Sequence, residues 1–428
     1  MCYAIPGKIV KLKNNLAVVD YFGEKRNVLN DFLKVKVNDY IYAQGGIIVN
    51  KIPAKEAKEI LAFWREKFFE LKKIDNKLSQ VKKNQKISSN ILAILQKVNL
   101  KQSLTNKELL KLLNVSDEQE LKLLFATANN IRQKENDNAC CVHGIIEFSN
   151  YCQNDCYYCG IRKSCRIPRY RMSLEEIIKT AKSAVNNFGF KALVLQSGED
   201  FWYDEKKLIK LVKEIRKLNI LIFLSIGERS KRTYKKLFAA GARAVLLRFE
   251  TSNKKIYQKL RPGKILTDRV ELIKHLKKLS YILATGFLTG LPGETKQDII
   301  NNILLTKSLK ADMYSFGPLI PAFNTPLAKQ KMIAKDLMLK IIAITRFIER
   351  DAKILVTTAM ETLDKKVKEQ GLLAGANSLM INVTPSGYRK KYVIYPARAD
   401  KNKEIKKNIK ETLDLLYSLG RAPTDVGT

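Results

Sequence analysis

Over its first fifty residues the chain alternates apolar and polar positions in short runs, at 8–12, 16–21, 25–29, 39–43 and 46–50. Turn-forming residues, Lys13-Asn14-Asn15 and Phe22-Gly23, separate the early runs. A two-residue period marks half-buried strands, and five in so short a length predict a small barrel of the OB type. From 53 to 73 the period changes. Ala57, Ile60, Leu61, Trp64, Phe68 and Leu71 recur three and four residues apart, the apolar stripe of an amphipathic helix. Residues 74 to about 90 are rich in Lys, Asn, Gln and Ser and read as a linker or a solvated helix. Two helical patterns follow between about 104 and 134, with Ser116-Asp117-Glu118 as a start signal.

Beyond that point strand and helix patterns alternate. Strands are expected at 144–149, 191–197, 220–226, 243–249, 281–288, 312–317, 353–358 and 377–383. Helical periods occupy 174–187, 205–218, 231–240, 268–279, 296–309, 335–349 and 361–370, with a last one near 404–419. This alternation predicts an α/β fold, a (β/α)8 barrel. The expected organisation is a small β-barrel with its helix over 1–75, a linker over 76–103 and the large barrel over 104–428. Chemistry in such a barrel belongs at the C-terminal ends of the strands. Cys152 follows the first strand, Gln196-Ser197-Gly198-Glu199 ends the second, Arg248 and Glu250 the fourth, and Thr357-Thr358 the seventh.

Composition adds little to this picture until charge and cysteine are considered. The chain has 428 residues, 46% hydrophobic and 28% charged, as globular proteins do. No apolar run is long enough for a membrane helix and the first residues lack a secretory signal, so a cytoplasmic protein without membrane partners is expected. The net charge of +36 would suit a polyanion. The lysines, however, sit on the outer faces of amphipathic patterns. Lys206, Lys207, Lys210, Lys213 and Lys217 lie opposite Leu208, Leu211, Val212 and Ile215. With no arginine-aromatic block to stack bases, nucleic acid is not an expected partner. Seven cysteines, Cys2, Cys140, Cys141, Cys152, Cys156, Cys159 and Cys165, are odd in number and clustered. That excludes a secreted disulfide framework and suits a reducing compartment with a metal site.

Cys152-Gln153-Asn154-Asp155-Cys156-Tyr157-Tyr158-Cys159 places three thiols on one tight loop. Three thiolates can hold three corners of a [4Fe–4S] cube, leaving one iron open. A structural zinc site would ordinarily have a fourth ligand, and neither a second cysteine pair nor more than two histidines is present. Ser197-Gly198-Glu199 at a strand end can offer backbone and carboxylate to an amine. Gly286-Phe287-Leu288-Thr289-Gly290-Leu291-Pro292-Gly293, a glycine-punctuated strand end, lets a nucleoside approach the backbone closely. In this order the motifs resemble the radical S-adenosylmethionine (SAM) superfamily.

The resemblance narrows further. Ile146 to Cys152, Cys156 to Gly160, Arg169-Tyr170-Arg171-Met172-Ser173, Leu195 to Asp200, Gly290 to Thr295, Gly317 to Pro321 and Thr357-Thr358-Ala359 resemble the HydE family of [FeFe]-hydrogenase maturases. Ala374-Gly375-Ala376-Asn377, Thr384-Pro385 and Tyr388-Arg389 continue the match, which runs from about 90 to 428. Several of these motifs are shared with biotin synthase and methylornithine synthase.

The resemblance implies that Cys152, Cys156 and Cys159 ligate the cluster. It places Tyr158, Ser197, Gly198, Glu199, Arg248, Glu250, Arg269 and Met313 around SAM. It places Gln196, Thr357, Thr358, Met380, Tyr392 and Tyr395 around the substrate, a cysteine-bound iron carbonyl-cyanide complex, Fe(CO)2CN. It also implies maturation proteins of the HydG and HydF type as partners. His143, nine residues before Cys152, departs from the arginine expected there. The absence of cysteine after 165 leaves later strands without ligands for an auxiliary cluster, against sulfur insertion. Cys140, Cys141 and Cys165 complete no second site by spacing and read as incidental thiols.

The N-terminus, Met1-Cys2-Tyr3-Ala4-Ile5-Pro6-Gly7-Lys8-Ile9, with Val19-Asp20-Tyr21 and Asp39-Tyr40-Ile41, resembles HypC, the small chaperone of [NiFe]-hydrogenase maturation. That resemblance implies an iron or partner site at Cys2. Gln44 stands where the family usually carries histidine.

Overall fold

In the computed structural model, which describes residues 4–81 and 87–425, the N-terminal strands close into a small barrel. These are β1 (Gly7–Lys13), β2 (Leu16–Tyr21), β3 (Glu24–Leu29), β4 (Tyr40–Gln44) and β5 (Ile47–Ile52). Their order is β1-β2-β3-β5-β4, with β4 returning to β1 and β3 parallel to β5. This is the OB arrangement that the alternation predicts. Ile9, Val19, Val28, Ile41 and Ile48 point inward and meet Trp64, Phe68 and Leu71 of helix α1 (Ala54–Leu78).

Helix α1 runs past the end that its apolar stripe predicts because its last turn is held by charge. Asp75, 1% exposed, receives both terminal nitrogens of Arg132 at 2.7 Å and lies 3.3 Å from Nε of Arg421. A period of apolar residues carries no trace of a buried ion pair. Helix α2 (Ser89–Asn99) falls wholly inside the stretch read as linker, 76–103. Its Ile91, Ile94, Leu95 and Val98 bury against the large core. Helices α3 (Asn106–Asn114) and α4 (Glu118–Asn136) follow, the first started by a Thr105–Glu108 capping box and the second by Asp117.

The large barrel has eight parallel strands in chain order. They are β6 (Cys141–Ser149), β7 (Ala192–Ser197), β8 (Leu221–Ser225), β9 (Ala244–Leu246), β10 (Ile282–Thr285), β12 (Met313–Tyr314), β14 (Lys353–Ile354) and β15 (Ser378–Asn382). Two short strands, β11 (Leu288–Thr289) and β13 (Gly317–Pro318), pair beyond the rim. The ring closes between β14 and β15 through a Leu355–Ser378 bridge, with Val356 donating to the Ser378 carbonyl at 3.1 Å. All eight expected strands are present. The helical period at 361–370 resolves into two helices, Thr358–Leu363 and Val367–Leu373. Asp364 between them is extended and accepts the Lys366 amide at 2.7 Å, which restarts the helix.

The barrel interior is layered. Alternate residues of β6 point inward, so Cys141 and His143 lie at the closed N-terminal end, Ile145 above them and Glu147 higher still. The small barrel seals that end. Its Tyr42, Val49 and Ile52, together with Ala4, share one apolar cluster with Ala192, Phe223, Ala244, Ala284 and Met313 of the large barrel. Gly45, at φ +58°, takes the turn between β4 and β5 into this opening, where a Cβ would stand 2.7 Å from Ile282. Among the described residues no helix is long and apolar enough to cross a membrane.

Candidate active site

At the opposite, C-terminal end the strands open on a cavity of ≈ 320 Å³. The loop after β6 carries Cys152, Cys156 and Cys159 to its wall. Arg169 organises that loop from below. Its guanidinium donates to the carbonyls of Asn150, Ile161, Arg162 and Cys165, at 2.5 to 2.9 Å. Asn150 adds hydrogen bonds to the carbonyls of Pro168 and Lys391 at 2.9 and 2.8 Å. Asp200, 3% exposed, accepts Ser149 Oγ and Arg171 Nε at 2.7 Å, while Arg171 lies 3.7 Å from the centroid of the Tyr151 ring. Asp155 pairs with Arg162 and caps Ser164 at the loop's outer side.

Glycines make this closeness possible. A Cβ on Gly198 would meet the Tyr151 carbonyl at 2.2 Å, and one on Gly160 the Val393 carbonyl at 2.2 Å. Gly227, at φ +71°, leaves room for Glu199, whose Cγ would lie 2.0 Å from a Cβ there.

The three thiols are suited to a cluster rather than to one ion. Among the described residues the group whose ligand atoms all lie within 4.8 Å of one another is elsewhere, at Cys141, His143 and Asp425. The loop sulfurs are spread wider, as corners of a cube require. Burial pushes the Cys152 and Cys159 thiols up, so bound iron is what would hold them as thiolates.

One side of the cavity is acidic and basic together. Glu199, 5% exposed, has Arg269 at 3.7 Å, Arg261 at 3.8 Å and Lys264 at 3.8 Å, but its Oε2 has no hydrogen-bond partner. Glu250 Oε2 is likewise buried without one, 3.3 Å from Arg248. Glu250 sits at φ +69°, a strained position for a non-glycine residue, held by a bridge to Phe287. Buried carboxylate oxygens without donors fit a ligand that brings an ammonium or hydroxyls. Tyr158 lies beside an apolar wall of Leu288, Leu291 and Leu319, a face fit for a planar base.

The other side offers neutral donors. Gln196, Thr357, Thr358, Met380, Tyr392 and Tyr395 all line it. Thr357 Oγ1 is buried without a partner. Burial pushes the phenols of Tyr392 and Tyr395 up, so both keep their protons. Each arginine on the cavity wall has a carboxylate: Arg248 with Glu250, Arg269 with Glu228 at 2.9 Å, and Arg398 with Glu147 at 2.8 Å.

The structure thus gathers every site residue named from sequence into one cavity except two. Met313 is in the apolar cluster at the closed end, 2% exposed, and does not line the cavity. Its strand is only two residues long, and Met313 is the residue at its buried start. Cys2 lies outside the described residues. His143 is on the same closed side. Of the run from Gly286 to Gly293, Leu288 lines the cavity, while Gly290 and Gly293 do not. Sequence reading missed Glu147, Arg398, Arg261 and Glu228, because their roles depend on partners distant in the chain, and the clamp by Arg169, because backbone carbonyls as partners leave no mark in a sequence.

Three family models match this chain. Residues 146–305 match the Radical SAM superfamily, residues 1–64 the HupF/HypC family, and residues 315–424 the Biotin and Thiamin Synthesis associated domain. The [FeFe] hydrogenase maturase subunit HydE of Thermotoga maritima is 39% identical over 331 residues, 77% of this chain and 94% of the relative. The 3-methylornithine synthase of Methanosarcina acetivorans is 32% identical over 75% of this chain and 90% of its own. Among solved structures, methylornithine synthase PylB aligns with a TM-score of 0.68 and 26% identity, over 78% of this chain and 97% of that one. The maturase HydG from Carboxydothermus hydrogenoformans shares the fold, with a TM-score of 0.66 and 20% identity, over 83% and 84%. Enzymes of this superfamily use a [4Fe–4S] cluster and SAM. The chain therefore belongs to the radical SAM superfamily, as a HydE-like enzyme that carries a HypC-like module ahead of its barrel.

Proposed function

We propose that this chain acts in hydrogenase maturation, with Cys152, Cys156 and Cys159 holding the cluster and the barrel taking a small organometallic substrate, a cysteine-bound Fe(CO)2CN complex. One observation carries this reading: a cysteine loop, buried carboxylate oxygens without hydrogen-bond donors and a wall of neutral hydroxyls share one cavity of ≈ 320 Å³. Cys152, Cys156 and Cys159 would hold the cluster, which would supply the electron for reductive cleavage of SAM to a 5′-deoxyadenosyl radical. The chain's own residues hold the reactants. Tyr158 and its leucine wall receive the adenine. Glu199 and Glu250 accept the donors of SAM's methionine and ribose ends, and Arg269, Arg248, Ser197 and Gly198 complete that half. Thr357, Thr358, Tyr392, Tyr395 and Gln196 donate to the anionic substrate, with Met380 beneath. Because the wall arginines are already paired, hydroxyls rather than free cations carry that recognition.

The HypC-like module beneath the barrel supports a part in handing the iron complex to or from it, through Cys2 or through a maturation protein of the HydG or HydF type. A carbon-skeleton mutase is the second reading, favoured by the 32% identity to 3-methylornithine synthase. The test is anaerobic reconstitution and SAM cleavage with and without the iron complex. Stimulated cleavage with an adenosyl adduct is expected. Cleavage unaffected by the complex, with no adduct, rejects the maturase reading, and a rearranged amino acid as product supports the mutase.

A further inference from the structure

The closed end of the large barrel carries chemistry that the cavity does not use. Cys141 and His143 point inward from β6, and Asp425 reaches them from the C-terminal tail. They are 1%, 1% and 3% exposed. A sulfur, a ring nitrogen and a carboxylate oxygen of the three all lie within 4.8 Å of one another. In a tetrahedral site with metal–ligand distances of about 2.0–2.3 Å, ligand atoms stand roughly 3.5 Å apart, so small rotations would close this group on one ion.

His143 supplies the independent observation. Both of its ring nitrogens are buried and neither has a hydrogen-bond partner. A ring so placed leaves a donor and an acceptor unsatisfied, a cost of about 1–3 kcal/mol for each group. Its nearest ring, Phe223, has its centroid 5.1 Å away and offers neither a donor nor an acceptor of ordinary strength. With no donor beside it, a ring nitrogen of this imidazole keeps a lone pair free to ligate an ion.

The surroundings are built as a support. Asp425 Oδ2 accepts the amide of Gly45 from the small barrel at 2.7 Å, and Oδ1 accepts Lys353 Nζ at 3.1 Å. Each oxygen therefore keeps a lone pair while its orientation is fixed, as partners of metal-bound carboxylates do. Lys353 Nζ pairs with Asp425 and also reaches the Cys141 sulfur, whose thiolate it would help to stabilise. Above the group, Ile145, Leu246 and Met380 form the floor of the cavity and separate it from the cysteine loop.

We propose that Cys141, His143 and Asp425 form a second metal site, which takes one divalent transition ion of borderline softness, Zn²⁺ or Fe²⁺. The mixed S, N, O donor set suits either ion and disfavours Mg²⁺ and Ca²⁺, which prefer oxygen alone. The ion would tie together the first barrel strand, the C-terminal tail and the module turn that carries Gly45. The cysteines that the linear spacing leaves as incidental then include a ligand.

The test uses the full chain, reconstituted so that the loop cysteines are occupied by their cluster, then equilibrated with Zn²⁺ alone or Fe²⁺ alone and passed over a chelating column. Metal per chain and X-ray absorption at the zinc edge are the readouts. One retained zinc with one sulfur and lighter N or O neighbours is expected. His143→Gln should weaken retention by more than the ten- to hundredfold typical of losing an outer partner, without changing the cluster's iron content. Cys141→Ser, close to isosteric, should remove the sulfur neighbour if His143→Gln proves unfolded by circular dichroism. Retention of Fe²⁺ in place of Zn²⁺, seen as a separate ferrous Mössbauer signal, identifies the ion and upholds the site. No retained ion of either kind overturns it, as does retention unchanged in the variants. Because cluster iron is read separately from the added ion, failure here leaves the reading of the cavity untouched.

Discussion

Substituting Gly198 by alanine tests how the cysteine loop is positioned. The residue directly follows β7 against the loop, where a Cβ would lie 2.2 Å from the Tyr151 carbonyl oxygen and 2.8 Å from Cys152 Cβ. Ordinary contact begins near 3.4 Å, so the loop backbone must retreat by about 1 Å. It cannot do so freely. Gly198 itself donates to the Ser149 carbonyl at 3.1 Å, and Gln153 donates to the Glu199 carbonyl at 3.1 Å, so loop and strand end are tied together. Overpacking of this kind costs about 1–3 kcal/mol, and the displaced residue is a cluster ligand. A shift of about 1 Å at a reacting centre can lower turnover about a hundredfold. The assay is parallel anaerobic reconstitution of wild type and Gly198→Ala, with iron per chain, SAM cleavage rate and a thermal melt. Reduced iron retention with cleavage down by roughly two orders of magnitude is expected. Wild-type iron content and rate would refute the claim that Gly198 sets the loop's position.

Three other outcomes follow from the same geometry. Asp75→Asn leaves the buried guanidiniums of Arg132 and Arg421 without their anion, and should destabilise the chain by about 3–5 kcal/mol in denaturant unfolding. Arg169→Lys replaces a planar fork that serves four carbonyls with a single ammonium, and should lower iron retention while leaving far-ultraviolet dichroism unchanged. Burial lifts Glu294 from 4.5 to about 7, so the folded chain keeps a proton that the unfolded chain has lost. Its contribution is full below about pH 4.5 and is lost as pH rises through 7, a change of at most about 3 kcal/mol that Glu294→Gln should remove from a stability-versus-pH series.

Legibility in the sequence followed the kind of force involved. Apolar periodicity marks both barrels, because each strand and helix must present one face to a core. Of the capped starts at Thr105, Asp117 and Ser173, only that at Asp117 is read from the sequence. Periodicity fails where burial is ionic. The last turn of α1 looks like solvated linker, yet Asp75 is enclosed by two arginines from remote segments. Helix α2 is hidden by the polar run before it, although its four buried apolar residues have the helical spacing. At the cavity, residues that announce themselves by motif or strand end were readable. Glu147 with Arg398 and Glu228 with Arg269 were not, since nothing local ties partners 251 and 41 residues apart. Met313 shows the limit of resemblance. On a two-residue strand it lies at the buried start, in the apolar plug and away from the cavity. The group at Cys141, His143 and Asp425 needed the fold, because the tail returns to the first strand only when the barrel is closed.

The central claim is that Cys152, Cys156 and Cys159 hold a cluster with one iron open to SAM. Low-temperature electron paramagnetic resonance of the reduced, reconstituted full chain, before and after addition of SAM, tests it most directly. A cubane signal that changes on addition of SAM and is absent from Cys156→Ala is the predicted result. A signal that ignores SAM, or persists unchanged in Cys156→Ala, would contradict the account.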